Sequence, residues 1–193
     1  MTNLNASGLG PLQRCALIDL TEIPRVGFRG PQTAEYLKAR GFSLPDAPNR
    51  ALVQPDGSQV ARLSQTEYLI LGGMLDRGMR VADEEARWEQ DHMANYLLPR
   101  EDSHAWIQLS GVYTADVMAK LCGVDLRSDA FPKGAVAQTS AARINVIVVN
   151  TSTEANPCFQ LLCDRASAEY FKGALVDAMA EFDGRELDVS SIH

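Results

Sequence analysis

An internal repeat is the feature of this 193-residue sequence that most restricts its fold. Residues 26–44, VGFRGPQTAEYLKARGFSL, align with residues 107–126, IQLSGVYTADVMAKLCGVDL, when one residue is inserted. The alignment matches Gly30 with Gly111 and the following TAE with TAD. Strand–glycine–helix turns occur in unrelated proteins, but the order of the later elements also agrees between the copies. This agreement favours a duplication.

Hydrophobic alternation and turn residues predict the elements of each copy. Strands are predicted at 15–19, 25–28, 50–53, 59–63 and 68–71, then at 104–109, twice within 135–149, and at 159–163. Helices are predicted at 32–40, 83–98, 113–122 and 168–182. We interpret each copy as a β-α-β-β-α unit. Because half-apolar sheets and helices must bury their apolar faces, two such units predict an α/β (α+β) fold in which helices cover sheets.

The length favours one compact domain. A chain of this size buries roughly 70% of its unfolded surface and needs no disulfide or metal to fold. The predicted parts are a flexible arm at 1–13, a first half at 14–98, a second half at 99–184 and a peripheral tail at 185–193.

The symmetry between the halves breaks within residues 74–98, which are rich in charges of both signs. Here Trp88, His92 and Tyr96 recur at every fourth position, which predicts an aromatic-edged face on the helix at 83–98. Core packing is the favoured role of that face, and docking of a partner is the alternative. The acidic residues 83–85 are interpreted as a solvated helix start that the helix dipole favours.

Charge and composition exclude several classes of function. The formal net charge is -7, so nucleic acids and anionic membranes are poor partners. Residues 1–10 lack a signal-peptide pattern, and the longest apolar run, 144–149, is far too short to cross a bilayer. We therefore expect a cytoplasmic protein. Its cysteines are expected to be reduced and mostly buried; they are Cys15, Cys122, Cys158 and Cys163.

Candidate catalytic and metal-binding groups do not form a recognisable set. The letters Asp102-Ser103-His104 are consecutive, whereas a catalytic triad needs side chains that converge from separate positions, so a loop is favoured. No HxxxH or HExxH pattern joins the three histidines, His92, His104 and His193. Cys158 and Cys163 are an odd number of residues apart on a strand, which sends them to opposite faces.

Phosphate-binding and carboxylate-binding motifs are equally weak. The Gly8-Leu9-Gly10 sequence precedes every strand and is not a dinucleotide fingerprint. Lys133-Gly134 with Gln138 is interpreted as a turn entering a strand in preference to an active loop. Surface or interface pairs are favoured for Arg29 and Arg143, although each side chain suits a carboxylate. The sequence thus predicts no catalytic residue and no metal ligand, and leaves cofactor-binding residues unknown.

Several segments resemble the gamma subunit of heterotetrameric sarcosine oxidase. They are Leu109-Ser110-Gly111, Asp125-Leu126-Arg127, Ala130–Gly134, Ala137-Gln138-Thr139, Ser167–Phe171 and, in the first half, Thr66–Leu69. The resemblance covers roughly residues 14–183, and 125–139 is its most specific part. It implies a T-protein-like fold related to folate-binding aminomethyltransferases, which contains such a duplication.

The same resemblance implies a function. In that family the larger subunits carry FAD, FMN, NAD and the tetrahydrofolate site, and they demethylate sarcosine or another N-methyl amino acid. This chain is then expected to be a non-catalytic partner of the alpha, beta and delta subunits. The alternative is a stand-alone folate-binding one-carbon transfer protein with an aromatic-walled pocket between its halves. A folate-using chain of this type is expected to be longer, with a third domain.

Overall fold

The computed structural model describes residues 9–192, which contain eleven strands and five α-helices. The strands are β1 Ala16–Asp19, β2 Arg25–Arg29, β3 Arg50–Val53, β4 Gln59–Arg62, β5 Glu67–Leu71, β6 Tyr96–Pro99, β7 His104–Ser110, β8 Val136–Ala141, β9 Ile144–Asn150, β10 Cys158–Asp164 and β11 Arg185–Leu187. The helices are α1 Pro11–Arg14, α2 Thr33–Ala39, α3 Met79–Ala86, α4 Thr114–Ala119 and α5 Ala168–Met179. The α/β class predicted from the sequence is confirmed.

Two sheets carry the same strand order. The six-stranded sheet runs β11-β1-β7-β10-β9-β8, and the five-stranded sheet runs β6-β2-β5-β4-β3. The first repeat contributes β2, β5, β4 and β3, and the second contributes β7, β10, β9 and β8, so the two series correspond strand by strand. Each repeat therefore has a β-α-β-β-β-α core. It contains one strand more than the β-α-β-β-α unit, although each of its strands was predicted individually.

The strand that leads into each repeat lies in the sheet of the other repeat. β1 precedes β2 but pairs with β7, and β6 precedes β7 but pairs with β2. The registers match, since Ala16 lies opposite Ser110 and Tyr96 lies opposite Arg29. This exchange ties the two repeats together.

The sheets pack face to face, with helices on both outer surfaces. Residues from both sheets, among them Leu71, Trp106 and Leu162, form a shared core between them. Helices α4 and α5 cover the outer face of the six-stranded sheet, and α2 and α3 cover that of the five-stranded sheet. Within residues 9–192, no helix has the length and apolar character needed to span a membrane.

The prediction of a helix over 83–98 is wrong. α3 begins at Met79, because Gly78 adopts a left-handed conformation (φ 77°) and the Asp76 carboxylate accepts hydrogen bonds from the backbone of Gly78 and Arg80. The helix ends at Ala86, and the chain then becomes extended to form β6. Pairing of β6 with β2 overrides the helical spacing of the aromatic residues.

The interpretation of residues 83–85 as a helix start is therefore also wrong. They lie in the second half of α3, where a carboxylate gains nothing from the helix dipole. Glu84 is buried and forms an ion pair with Arg40 of 3.2 Å, which joins α3 to the end of α2. Asp83 pairs with Arg87 one turn later.

The described residues near both ends of the chain have regular secondary structure. Residues 1–8 of the predicted arm lie outside the described residues, but α1 packs beside the β7–α4 turn, where Val112 N–H donates to Gln13 O at 2.9 Å. The predicted tail at 185–193 begins with β11, which pairs in parallel with β1 and so is part of the sheet.

Candidate functional site

A groove of about 760 Å³ lies along one end of the six-stranded sheet, where β7 begins, β10 ends and β8 turns into β9. Leu162 and Ile147, which also belong to the core between the sheets, help to line it. Its eight polar lining residues come from four strands and their loops: Ser103, His104, Gln138, Thr139, Arg143, Asn145, Asp164 and Ser167. The sequence singles out Ser103, His104, Gln138 and Arg143 among them as candidates. Asp164 and Asn145 were missed, because only strand register brings them opposite the others.

His104 is held in place by a buried arginine. Arg25 has no exposed surface and gives all its guanidinium donors to backbone carbonyls. Nε donates to His104 O at 2.9 Å, Nη1 to Thr21 O and Ile23 O at 2.8 and 3.0 Å, and Nη2 to Glu101 O at 3.1 Å and again to His104 O. Burial lowers the pKa of Arg25. The arginine thus fixes the loop before β7.

The His104 imidazole is a neutral hydrogen-bonding group. Burial, with help from the nearby positive charges of Arg100 and Arg25, lowers its pKa to about 4. Ser103 Oγ lies 2.8 Å from His104 Nδ1 and donates its own proton to Pro99 O at 3.0 Å. When Ser103 donates to Pro99 O, its oxygen can accept only from the Nδ1–H tautomer of His104, and in that tautomer the imidazole does not take the serine proton. This geometry suits binding and does not activate Ser103 as a nucleophile.

The triad letters do not form a triad in the structure. Asp164 pairs with His104 across β10 and β7, and its charge acts on the imidazole, whereas Asp102 belongs to the preceding loop. The prediction of a loop that leads into the strand of Trp106 is confirmed, and β7 begins at His104 as predicted. His193 lies outside the described residues.

The Lys133-Gly134 segment joins the two repeats. Ala51 N–H donates to Gly134 O at 2.7 Å, and Val136 N–H donates to Asn49 O at 3.0 Å. Gln138 extends the same junction, since its Nε2 donates to Leu63 O at 2.7 Å. The interpretation as a turn entering a strand is confirmed.

A second groove of about 770 Å³ opens beside α4. It contains part of the segment that carries the most specific family resemblance, with Leu126, Arg127 and Lys133 in its lining and Phe159 on its apolar side. The Arg127 hydrogen bond lowers the pKa of Asp125 to about 2, so this exposed pair stays charged at neutral pH. The groove belongs to the second repeat alone.

The remaining candidates are dispersed. Trp88 packs at the edge of the core under α2 and α3, whereas Tyr96 is about half exposed on β6, so the predicted common aromatic face does not exist. Arg29 is exposed near Glu67 at 3.9 Å. Within residues 9–192, no three His, Cys, Asp or Glu side chains converge on a possible metal position.

All four cysteines are free thiols, as predicted. Cys15, Cys122 and Cys163 are buried and Cys158 is half-buried. Burial raises the pKa of the Cys15, Cys158 and Cys163 thiols to about 11, so these three are protonated at neutral pH. A protonated thiol is a poor nucleophile and a poor metal ligand.

Solved structures of other proteins share this architecture. A chain of heterotetrameric sarcosine oxidase from Corynebacterium sp. U-96, in complex with pyrrole 2-carboxylate, matches with a TM-score of 0.70 and 23% identity, over 94% of this chain and 91% of that chain. The chain has the T-protein-like fold. Glycine cleavage system aminomethyltransferase T from Bartonella henselae matches with a TM-score of 0.66 and 12% identity, over 92% of this chain but only 48% of that chain. Neither a family model nor a curated protein sequence matches.

Proposed function

We propose that this chain is the gamma subunit of a heterotetrameric sarcosine or related N-methyl amino acid oxidase. The observation that carries the proposal is the coverage of the structural match. The T-protein-like fold of this chain accounts for 91% of a chain from such an oxidase, but for about half of the aminomethyltransferase. The segments at 109–111 and 125–139 that resemble the gamma subunit add sequence support over the same fold.

In this proposal the chain acts as a structural subunit in the cytoplasm. The alpha, beta and delta subunits are its partners, and FAD, FMN, NAD and tetrahydrofolate are held by those partners. The described side chains of the His104 groove support a non-catalytic role, because Ser103 and His104 are hydrogen-bonded in an arrangement that leaves neither activated.

Exposed apolar side chains support a partner surface on the first repeat. Among residues 9–192, large apolar side chains are exposed at eight positions, and five of these lie before β7: Leu52, Val53, Leu75, Met79 and Tyr96. Leu75 and Met79, just before and at the start of α3, are the most exposed of the eight, at 84% and 65%, and concentrated apolar surface, unlike isolated apolar residues, marks interaction sites. We therefore assign the subunit contact mainly to this repeat.

The alternative is a stand-alone folate-binding one-carbon transfer protein. It requires an aromatic-walled pocket between the repeats. The space between the sheets is filled by the shared core. Two cavities lie at the junction of the repeats, one of about 370 Å³ beside β3 and Gly134 and one of about 560 Å³ that reaches Pro45 and Pro132, and their described lining residues carry no aromatic ring. The residues present at the junction therefore do not fit a pterin.

Co-expression with the other oxidase subunits tests the proposal. We expect the tagged full-length chain to co-purify with them in a complex that shows flavin absorbance, and calorimetry of the isolated chain to show no heat on tetrahydrofolate addition. A chain that stays alone at micromolar concentration beside the folded subunits contradicts the proposal, and tetrahydrofolate binding by the isolated chain supports the alternative.

Matched variants locate the contact. The double variant Leu75→Glu/Met79→Glu is expected to weaken assembly at least about tenfold, because charges are costly at a desolvated interface. The control Val124→Glu/Val176→Glu places the same two charges at exposed positions of the second repeat. Equal weakening by both variants contradicts the assignment of the contact to the first repeat.

A further inference from the structure

The two sheets differ at one corresponding edge. β1 lies between β7 and β11, whereas β6, which occupies the same position beside β2, is the last strand of its sheet within residues 9–192. The equivalence is close, because β1 and β6 pair with β7 and β2 in the same register. By this pseudosymmetry, a strand added beside β6 would be the counterpart of β11 beside β1.

The covering strand buries β1 almost completely. β11 runs parallel to β1, with Arg185 opposite Ala16 and Leu187 opposite Ile18, and Arg185 N–H donates to Cys15 O at 3.1 Å. Ala16 and Ile18 have no exposed surface. On β6 the corresponding residues are open: Tyr96 is 52% exposed, and Leu97 and Leu98 are half-buried.

The free backbone groups of β6 follow from the ladder on β1. Leu20 N–H donates to Trp106 O at 2.8 Å, so the even-numbered residues of β1 bond to β7 and the odd-numbered residues turn towards β11. The same alternation bonds Tyr96 and Leu98 to β2 and directs the Leu97 N–H and C=O outwards. Outward backbone groups on a sheet edge are a template for a strand from another chain.

The side chains and the strand end define the segment that fits. Leu187 of β11 packs on the core between the sheets together with Ile18, whose counterpart on β6 is Leu98. The pseudosymmetry with this pair predicts an apolar residue opposite Leu98. Pairing ends at Pro99, because proline has no N–H to donate. The complementary stretch is therefore short, like the three residues of β11.

We propose that β6 accepts an extended segment of a partner subunit as a sixth strand, parallel to β6, with an apolar residue opposite Leu98. This inference rests on the proposed function, since the oxidase complex supplies the partner. A second copy of this chain is a different occupant: two β6 edges related by a twofold axis pair antiparallel, not parallel.

Residue-resolved hydrogen exchange on the assembled complex is the test. In the isolated chain the Leu97 amide is expected to exchange rapidly, and in the complex its exchange is expected to slow at least about a hundredfold. A complex that forms without slowing exchange at Leu97 overturns this inference and leaves the proposed function standing. Failure of any complex to form overturns both. Slow exchange at Leu97 in a homodimer of the isolated chain, with no change on adding the subunits, assigns the edge to a second copy and overturns the partner strand.

Two variants at one position separate the backbone bond from side-chain packing. Leu97→Pro removes the outward N–H, a change that an edge strand tolerates because no bond to β2 is lost. Leu97→Ala keeps the N–H and removes most of the same side chain. We expect Leu97→Pro to bind the subunits at least about tenfold more weakly than Leu97→Ala, and equal affinities overturn the inference. Circular dichroism checks the fold, and if Leu97→Pro is unfolded the exchange measurement decides alone.

Discussion

Gly30 and Gly111 occupy matching turns of the two repeats, and each lies against the backbone that leads into an exchanged strand. A Cβ atom on Gly30 would lie 2.0 Å from Ala94 O, and one on Gly111 would lie 2.4 Å from Arg14 O. Their φ angles are 153° and 109°, which side-chain-bearing residues rarely adopt. The repeated glycine of the sequence is therefore the point where one repeat admits the leading strand of the other.

Alanine at either glycine is expected to destabilise the protein severely. Gly30→Ala and Gly111→Ala each combine backbone strain with a clash against main-chain atoms, and we expect each to lower the free energy of unfolding by at least about 2 kcal/mol. Urea denaturation followed by circular dichroism measures the loss. Gly173→Ala is the control, because it lies in α5 with open space around its Cβ position. It should raise stability by roughly 0.5–1 kcal/mol, and a similar loss in all three variants contradicts this account.

Replacement of Arg25 is expected to loosen the loop before β7. Arg25→Met removes every donor to the carbonyls of Thr21, Ile23, Glu101 and His104, so the free energy of unfolding should fall by about 3 kcal/mol or more. Arg29→Met, four residues along on the same strand and exposed, should change it by less than about 0.5 kcal/mol. Chemical denaturation of both variants checks the difference. Equal free energies of unfolding for Arg25→Met and Arg29→Met would falsify this role of Arg25.

The His104 imidazole should titrate far below an ordinary histidine. Its pKa of about 4 in the folded protein lies below that of the unfolded chain, near 6.5. Between these values the unfolded state binds more protons, so this group makes stability fall as pH decreases from about 6.5 to 4. NMR titration of the ring proton measures the pKa directly. His104→Gln should flatten the pH dependence of the unfolding free energy in that window, and an unchanged slope rules out this assignment.

A buried polar chain should contribute to the core between the sheets. Trp106 Nε1 donates to Gln160 Oε1 at 2.8 Å, and Gln160 Nε2 donates to Gln108 Oε1 at 3.1 Å. Gln160→Leu leaves the buried indole N–H without its acceptor and should cost about 1–3 kcal/mol of unfolding free energy. Gln108→Leu keeps the indole bond and should cost clearly less. Denaturation monitored by tryptophan fluorescence distinguishes the two, and the reverse order contradicts the role of Gln160.

Local patterns in the sequence located most of the strands. The predicted strands at 25–28 and 104–109 differ from the observed β2 and β7 by one residue each, because alternating residues there face a helix layer on one side and the second sheet on the other. The repeated glycines also predicted the matching turns. These features depend on residues that are close in the sequence, so hydrophobic periodicity and turn residues are enough to predict them.

Features that depend on distant pairing were missed. The spacing of Trp88, His92 and Tyr96 fits a helix, yet Tyr96 is required in the strand beside β2. The role of β11 and the contribution of Asp164 to the groove arise from strand register. Local periodicity does not predict which strands pair. The sequence therefore indicated Ser103, His104, Gln138 and Arg143 of the candidate groove, but not Asp164, which only strand pairing brings opposite His104.

Exchange of the leading strands has a consequence for synthesis on the ribosome. β1 is made early, but its neighbour β7 arrives much later: the contact between Thr21 and Trp106, just past the end of β1, spans 85 residues. At translation rates of about 5–20 residues per second, the synthesis of β7 follows that of β1 by on the order of 4 to 17 s. A nascent first repeat also lacks β6 at its own edge during much of that time. The five-stranded sheet has all its strands once Pro99 is made, about halfway through the chain, whereas the six-stranded sheet receives β11 only near the end of translation.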